Sequence, residues 1–273
     1  MKTDITELES VASQIRGKLV EMSHYSRAAH LGSALSCVDI LVTLYWNSLA
    51  IAPDNPAAPD RDRFILSKGH AAAALFATLA MKGFFPETLL DTFGQAGGLL
   101  EEHPGPGCAP GVEAATGSLG HGLPLGIGMA LASRIQSIPY RVCVLMSDGE
   151  CNEGSVWEGA MFAAGKRLHN LLAIIDFNKW QATGRSCEVM ALEPLEQKWR
   201  SFGWEAYEIN GHDIKVLLEI MNRFPSVSGK PVAIIAHTIK GKGVSFMEDD
   251  NNWHYRIPNA QEVVKAKGEL GLL

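Results

Sequence analysis

Two polar residues, Asp148 and Asn178, each follow a short apolar run, and they stand thirty residues apart. The runs cover 142–146 and 171–175, and the segment 154–168 between them carries apolar residues at helical spacing. This pattern is typical of a β-α-β unit whose apolar strands lie buried in a parallel sheet. Because the carboxyl ends of parallel strands meet at one sheet edge, one right-handed crossover would bring Asp148 and Asn178 side by side.

The chemistry of this pair indicates a hard cation. A carboxylate and an amide oxygen suit magnesium or calcium rather than zinc, and magnesium usually shares its ligands with a phosphate. Gly149 allows a phosphate to approach the backbone, and a helix beginning near Gly154 offers free N–H groups and a positive dipole end. Taken alone, the pair is more typical of strand-end turns with local hydrogen bonds, so the rest of the sequence has to decide.

Four histidines, His30, His70, His103 and His254, stand in glycine-rich or strand-end segments. Each one singly is more often a hydrogen-bonded structural residue than a catalytic one. At one sheet edge beside Asp148, however, imidazoles would be placed to hydrogen-bond substrate oxygens and to move protons near neutral pH. Their common context therefore favours a catalytic cluster.

Several further segments are distinctive, and they occur in a fixed order along the chain. They are His30-Leu31-Gly32, the run 61–70 that ends in Ser67-Lys68-Gly69-His70, Gly111-Val112-Glu113 followed by 116–120, and Asn210-Gly211-His212-Asp213. Together with the Asp148 and Asn178 segment, this series resembles the transketolase family of thiamin-diphosphate enzymes. The resemblance covers nearly the whole chain but only the amino-terminal third to half of an ordinary transketolase. We therefore interpret the chain as the amino-terminal subunit of a split transketolase.

The resemblance implies thiamin diphosphate and Mg²⁺ as cofactors. The magnesium ligands of the family match Asp148, Asn178 and the main-chain carbonyl of Trp180. Glu153 matches a family glutamate that lies towards the other active site of the dimer, although a carboxylate is also favoured there by the helix dipole. The residues that match the cofactor-binding positions are His70, Gly117, Ser118, Leu119, Gly149, Glu153 and Asn178.

By the same resemblance, three histidines are expected to be catalytic. His30 would contact substrate oxygens, His103 would face the reacting carbons, and His254 would lie near the diphosphate, although its flanking residues match only loosely. His70 would lie along the cofactor. These roles fit carbon–carbon bond chemistry next to a carbonyl, which passes through alkoxide-like intermediates.

Three departures separate this chain from housekeeping transketolases. Leu31 stands where many have proline, Ser147 replaces the first glycine of Gly-Asp-Gly, and His121 stands where glutamine is common. They affect the expected substrate more than the cofactor. The alternatives are a subunit of a 1-deoxyxylulose-5-phosphate-synthase-like or 2-oxo-acid-decarboxylating enzyme, and a non-catalytic cofactor-binding regulatory subunit. The Gly111 and Asn210 segments favour transketolase, and the intact site residues disfavour a regulatory role.

Composition sets broader limits. The chain has 273 residues, 47% of them hydrophobic, and a formal net charge of −6. We expect one domain over 1–273 and neither nucleic acid nor membrane as a partner, since the chain carries no basic excess and no long apolar run. Five scattered cysteines without CxxC spacing, and a start without a signal peptide, predict a cytoplasmic protein.

Alternating strands and helices predict an α/β fold with a parallel sheet flanked by helices on both faces, which the resemblance identifies as the thiamin-diphosphate-binding fold. Strands are expected at 64–66, 142–146, 171–175, 204–209 and 231–236. Ser36 is predicted to cap a helix after a loop over 27–33, and 94–120 to form a long functional loop. The missing half implies a carboxy-terminal transketolase subunit with the pyrimidine-binding domain, in an α2β2 assembly acting on sugars or sugar phosphates.

Overall fold

A five-stranded sheet forms the centre of the computed structural model, which describes residues 4–105 and 107–273. All pairings are parallel, and the strand order is β1-β2-β3-β5-β4. The predicted strands are confirmed to within two residues at each end. Their bounds are β1 Arg63–Leu66, β2 Val142–Ser147, β3 Leu171–Phe177, β4 Glu205–Asn210 and β5 Val232–His237.

Helices cover both faces of this sheet, which confirms the predicted fold class. Side chains alternate along each strand, so that Leu145 and Ile174 pack into a core on one face while Val144 and Ile175 pack into a core on the other. The helices are α1 Ile5–Ser26, α2 Leu31–Ser36, α3 Val38–Thr43, α4 Ala72–Lys82, α5 Gly122–Gln136, α6 Gly154–Gly165, α7 Ser186–Val189, α8 Leu195–Ser201, α9 Ile214–Met221 and α10 Ala260–Glu269.

The region after α1 differs from the prediction. The chain leaves α1 through left-handed residues at Arg27 and His30, and α2 already begins at Leu31, so the predicted loop over 27–33 is wrong at its end. Ser36 is the last residue of α2 rather than a cap. Its hydroxyl lies 3.0 Å from the carbonyl of Ser33 and 2.6 Å from a carboxylate oxygen of Asp176. Apolar periodicity could not reveal this bond because the partner lies on a distant strand.

The predicted long loop is present between α4 and α5. After one 3₁₀ segment at Glu87–Thr92, the chain runs without further helix or strand to α5, apart from Pro106, which lies outside the described residues. The same is true of residues 1–3, on which part of the signal-peptide prediction rests. No helix within the described ranges is long and apolar enough to cross a membrane.

Candidate active site

A cavity of about 360 Å³ opens at the carboxyl edge of the sheet. Asp148 follows β2 directly and Asn178 follows β3. These two strands pair with Ser147 opposite Asp176, so the backbone leaves both strands at nearly the same level of the sheet. Of the site residues predicted from the sequence, the cavity lining includes His30, His70, Gly117, Leu119, Asp148, Gly149, Glu153, Asn178, Trp180 and His254.

Two predicted site residues stand apart from this lining. Ser118 is exposed, and its neighbours Gly117 and Leu119 face the cavity instead. His103 is also exposed, but its ring lies 6.1 Å from that of His30. It also contacts the backbone at Gly117, where an added Cβ would lie 2.7 Å from the imidazole. His103 therefore belongs to the histidine cluster at the rim of the cavity.

Sequence reasoning missed several lining residues. Ser33, Asn152 and the loop residues Gln181 and Thr183 also face the cavity. The loop that holds Gln181 and Thr183 directly follows Trp180, so a polar loop after a ligand-bearing strand end was the available signal. Lys240, whose ammonium contacts the ring of His254, was also missed, and it directly precedes the glycine-rich run Gly241-Lys242-Gly243.

Asp148 is a buried carboxylate whose hydrogen-bond donors are neutral groups. One oxygen accepts from Ser186 Oγ at 2.7 Å and from the Lys179 N–H at 3.0 Å, and the other from the Gly149 N–H at 2.9 Å. The nearby Lys68 ammonium forms its ion pair with Asp176 instead. Burial raises the pKa of Asp148 to about 6, although the bond from Ser186 acts in the opposite direction. A divalent cation in the cavity would offset this cost, so the carboxylate fits a metal.

Other donors at this edge fit magnesium with a diphosphate. Among the described residues no group of three His, Cys, Asp or Glu side chains is arranged for a metal, so amide and main-chain oxygens would have to complete a site at Asp148. Asn152 Oδ1 and Gln181 Nε2 are buried without a hydrogen-bond partner in the described part of the chain, and both residues line the cavity. A phosphate oxygen is a suitable acceptor for Gln181.

The histidines form a compact cluster around His30. Ring centroids lie 5.0 Å apart for His30 and His254, 5.5 Å for His30 and His70, and 6.0 Å for His70 and His254. Burial, reinforced by the neighbouring His103 and then Lys240, lowers the pKa of His30 to about 4. Burial and then Lys240 lower the pKa of His254 to about 3. Both imidazoles are thus neutral at physiological pH.

Lys240 fixes the orientation of one of these rings. Its ammonium lies 2.7 Å from Asn251 Oδ1 and 3.1 Å from His254 Nδ1. An ammonium group only donates, so Nδ1 of His254 must accept, and Nε2 carries the proton. The His30 N–H also donates to the carbonyl of His254 at 2.7 Å, which ties the two histidines together through the backbone.

These pKa shifts predict a pH dependence of stability. The pKa of His30 is lower in the folded chain than the ordinary value of 6.5, so the unfolded chain takes up this proton first. Its contribution therefore favours unfolding as the pH falls from 6.5 towards 4 and vanishes at higher pH. The raised pKa of Asp148 acts in the opposite direction, which makes a matched variant necessary. We expect wild type to lose more of its thermal midpoint than His30→Gln does between about pH 7.5 and about pH 5. Equal losses would contradict the prediction.

Comparison with known proteins agrees with this geometry. Residues 8–273 match the family model described as transketolase, thiamine diphosphate binding domain. The chain is 41% identical over 270 residues to an apulose-4-phosphate transketolase subunit from Phocaeicola vulgatus, covering 99% of this chain and 95% of that one. It is 43% identical over 242 residues to the 6-deoxy-6-sulfo-D-fructose transketolase subunit of a Clostridium species, with 89% and 88% coverage.

Solved structures give the same result. A transketolase from Campylobacter jejuni superposes with a TM-score of 0.93 at 29% identity, covering 98% of this chain and 43% of that one. A transketolase from Leishmania mexicana gives 0.92 at 26% identity, with 97% and 41% coverage. The chain thus spans less than half the length of these structures.

The fold and the cavity define a thiamin-diphosphate-binding domain of the α/β class. Within that class, the chain belongs to the transketolase family. It corresponds to the amino-terminal part of the long transketolases, and three of its relatives of nearly equal length are named as subunits.

Proposed function

We propose that this chain is the diphosphate-binding subunit of a transketolase-type enzyme that moves a two-carbon ketol unit from ketose donors to aldose acceptors. The carrying observation is that Asp148 and Asn178 share one cavity with three of the predicted histidines, while His103 stands at its rim. In this proposal Asp148, Asn178 and the Trp180 carbonyl hold Mg²⁺. Thiamin diphosphate, when bound, supplies the centre that makes and breaks the carbon–carbon bond.

In this proposal the role of each residue depends on its position in the cavity. Gly149 packs closely against Gln181, where an added Cβ would lie 3.1 Å from Cγ, and Gln181 Nε2 has a free donor for a phosphate. His30 and His103 hydrogen-bond substrate oxygens and move protons at the rim, and His254 assists from beside Lys240. His70 lies partly buried beside His30 and positions the cofactor.

The proposal also covers the substrate class and the cellular compartment. One relative is named for apulose-4-phosphate and another for 6-deoxy-6-sulfo-D-fructose, which supports a sugar or sugar phosphate, or a similar acidic sugar. We propose a single domain over 1–273 and a cytoplasmic enzyme. The five cysteines are all free, as expected of a reducing compartment.

The carboxy-terminal partner follows from the relatives and from the exposed rim. Proteins of nearly the same length are named as subunits, so a second chain would carry the pyrimidine-binding domain. We propose an α2β2 assembly with active sites at unlike-subunit interfaces. The test of the function is ketol transfer by the reassembled enzyme with a panel of ketose donors, set against pyruvate as a decarboxylating donor. Turnover with pyruvate alone would contradict the proposal.

The histidine roles predict two different defects. His103→Ala should lower kcat by roughly 10²–10⁴-fold with little change in cofactor affinity, because an exposed rim imidazole acts on substrate atoms. His70→Ala should weaken thiamin diphosphate binding as well, because its partly buried ring forms part of the cavity wall. Steady-state kinetics and calorimetric titration of the cofactor measure the two effects.

The matched control for both variants is His169→Ala. His169 is exposed and lies just before β3, at the opposite edge of the sheet from the cavity. Its removal should leave both kcat and cofactor affinity unchanged. If His103→Ala kept kcat within a factor of two of the control, His103 would have no part in the mechanism.

A further inference from the structure

A buried polar network lies directly beneath the proposed metal site. At its centre is Asp176 on β3, two residues before Asn178 and fully inaccessible to solvent. One carboxylate oxygen accepts from the Thr238 hydroxyl. The other accepts from Ser36 Oγ at 2.6 Å and from the Lys68 ammonium, which also donates to the Ser33 carbonyl at 2.9 Å. None of the residues that form this network around Asp176 is among the predicted site residues.

Lys68 keeps this network ionic. Burial has the largest single effect on Lys68 and would lower its pKa, but the Asp176 carboxylate and other nearby groups together outweigh it, and the pKa of Lys68 is raised. Asp176 is thus paired with a fixed cation and acts as a pure acceptor. The pair is electrically compensated, in contrast to Asp148 above it.

An acceptor-only carboxylate sets the direction of the next bond. Ser36 has one hydroxyl hydrogen. Its two nearest partners, Asp176 and the Ser33 carbonyl, can only accept a hydrogen bond, so the hydrogen points to one of them. The lone pairs of Ser36 Oγ are then left for a donor on the remaining side. The amide of Asn178 stands there, with Nδ2 at 3.4 Å from Ser36 Oγ.

The other end of the same amide faces a donor. The Trp180 N–H points at Asn178 Oδ1 from 3.1 Å, so an oxygen is required at that position. The two ends of an amide have nearly the same size but opposite chemistry, and only the oxygen has a lone pair for a cation. A turn of the amide by half a revolution would present an NH₂ group to the cation instead.

We propose that Ser36, supported by the Lys68 and Asp176 ion pair, is a positioning residue that turns the Asn178 amide so that its oxygen faces the Mg²⁺ site. The inference rests on the proposed function, because it takes Asn178 as a ligand. It gives Ser36, Lys68 and Asp176 a task beyond packing. Alanine at position 36 would fill nearly the same space, so a packing role alone predicts almost no loss.

The test measures metal binding directly. Mn²⁺ is titrated into the full chain assembled with its carboxy-terminal partner, with thiamin diphosphate present, and free Mn²⁺ is followed by electron paramagnetic resonance. Ser36→Ala should weaken Mn²⁺ binding by roughly tenfold, the lower end of the effect known for groups that orient metal ligands, because the Trp180 N–H still favours the correct rotamer. A loss of less than twofold would overturn the proposal.

The matched control removes a similar hydroxyl elsewhere. Ser133 is also a buried helical serine whose hydroxyl donates to a main-chain carbonyl, but it lies on α5 near the opposite edge of the sheet. Ser133→Ala should leave Mn²⁺ binding unchanged. If Ser36→Ala does not fold, Ser36→Cys replaces it, since a thiol keeps the volume but donates weakly, and the same direction is expected.

A double-mutant cycle with Asn178→Asp tests the mechanism itself. A carboxylate has an oxygen at both ends and needs no turning, so adding Ser36→Ala to Asn178→Asp should change Mn²⁺ affinity by less than about threefold. The same loss in both backgrounds would show that Ser36 acts through something other than amide orientation, and would overturn the proposal. Wild type that takes up no Mn²⁺ with thiamin diphosphate would refute the metal site, and with it the proposed function, which is a separate failure.

Discussion

Asp148→Ala is expected to abolish cofactor-dependent ketol transfer by the assembled enzyme. Asp148 is the one carboxylate among the three proposed ligands, and magnesium held by an amide and a carbonyl alone would bind far more weakly. The variant tests this most sharply at limiting Mg²⁺, with turnover and cofactor binding measured on the same preparation. Near-normal activity under these conditions would show that the metal site has been placed wrongly.

In the absence of metal, Asp148→Ala should not show a loss of thermal stability that matches its loss of activity. Burial raises the pKa of Asp148 to about 6, so its ionised form costs the fold free energy above that pH. Removing the carboxylate relieves this cost but leaves the donors of Ser186, Lys179 and Gly149 without their acceptor, so at about pH 8 the thermal midpoint without metal should be retained rather than raised. Loss of activity with retained stability separates a missing ligand from a misfolded chain.

Two other substitutions calibrate the Asp148 result. Ser186→Ala removes a hydrogen bond to Asp148 but leaves its charge, so a partial loss of metal affinity is expected. Asp213→Ala removes a carboxylate that caps α9 through the Val216 N–H, away from the cavity. This variant should lose roughly 1 kcal/mol of stability without any change in magnesium dependence.

The sequence predicts the parts of this molecule that depend on local pattern. Strands β2 and β3 are buried throughout and apolar as far as Met146 and Ile175, and the polar residues that come next, among them Asp148 and Asn178, interrupt that pattern abruptly. In a parallel sheet those interruptions have to meet, so their pairing follows from topology. The grouping of the four histidines could be predicted only from the family resemblance, because no local pattern joins His30 to His254.

The rest depends on bonds between residues far apart in the chain. Ser36 ends α2 and bonds to Asp176 across 140 positions, and Lys68 reaches the same carboxylate across 108. A buried lysine after one strand and a buried aspartate within another each look unfavourable alone. Their charges cancel only once the fold brings them together, so a reading along the sequence assigns them no role.

The partner dependence has the other large expected effect. Around the cluster, His103 is exposed and Tyr255 is 64% exposed, with the Tyr255 ring 4.7 Å from that of His254. The rim is therefore open to water, whereas charge stabilisation in catalysis depends on excluding it. Exposed apolar residues of this kind beside a site are typical of a surface that a second protein covers.

We accordingly expect the chain alone to show ketol transfer at least roughly 10²-fold below that of the mixture with its carboxy-terminal partner, even at saturating Mg²⁺ and thiamin diphosphate. Adding the partner should restore turnover and shift the protein to the mass of two copies of each chain in size-exclusion chromatography with light scattering. The partner mixed with Asp148→Ala is the control, because it should assemble but remain inactive. Turnover by the isolated chain close to that of the mixture would mean that one chain builds the whole active site, and the two-subunit proposal would be wrong.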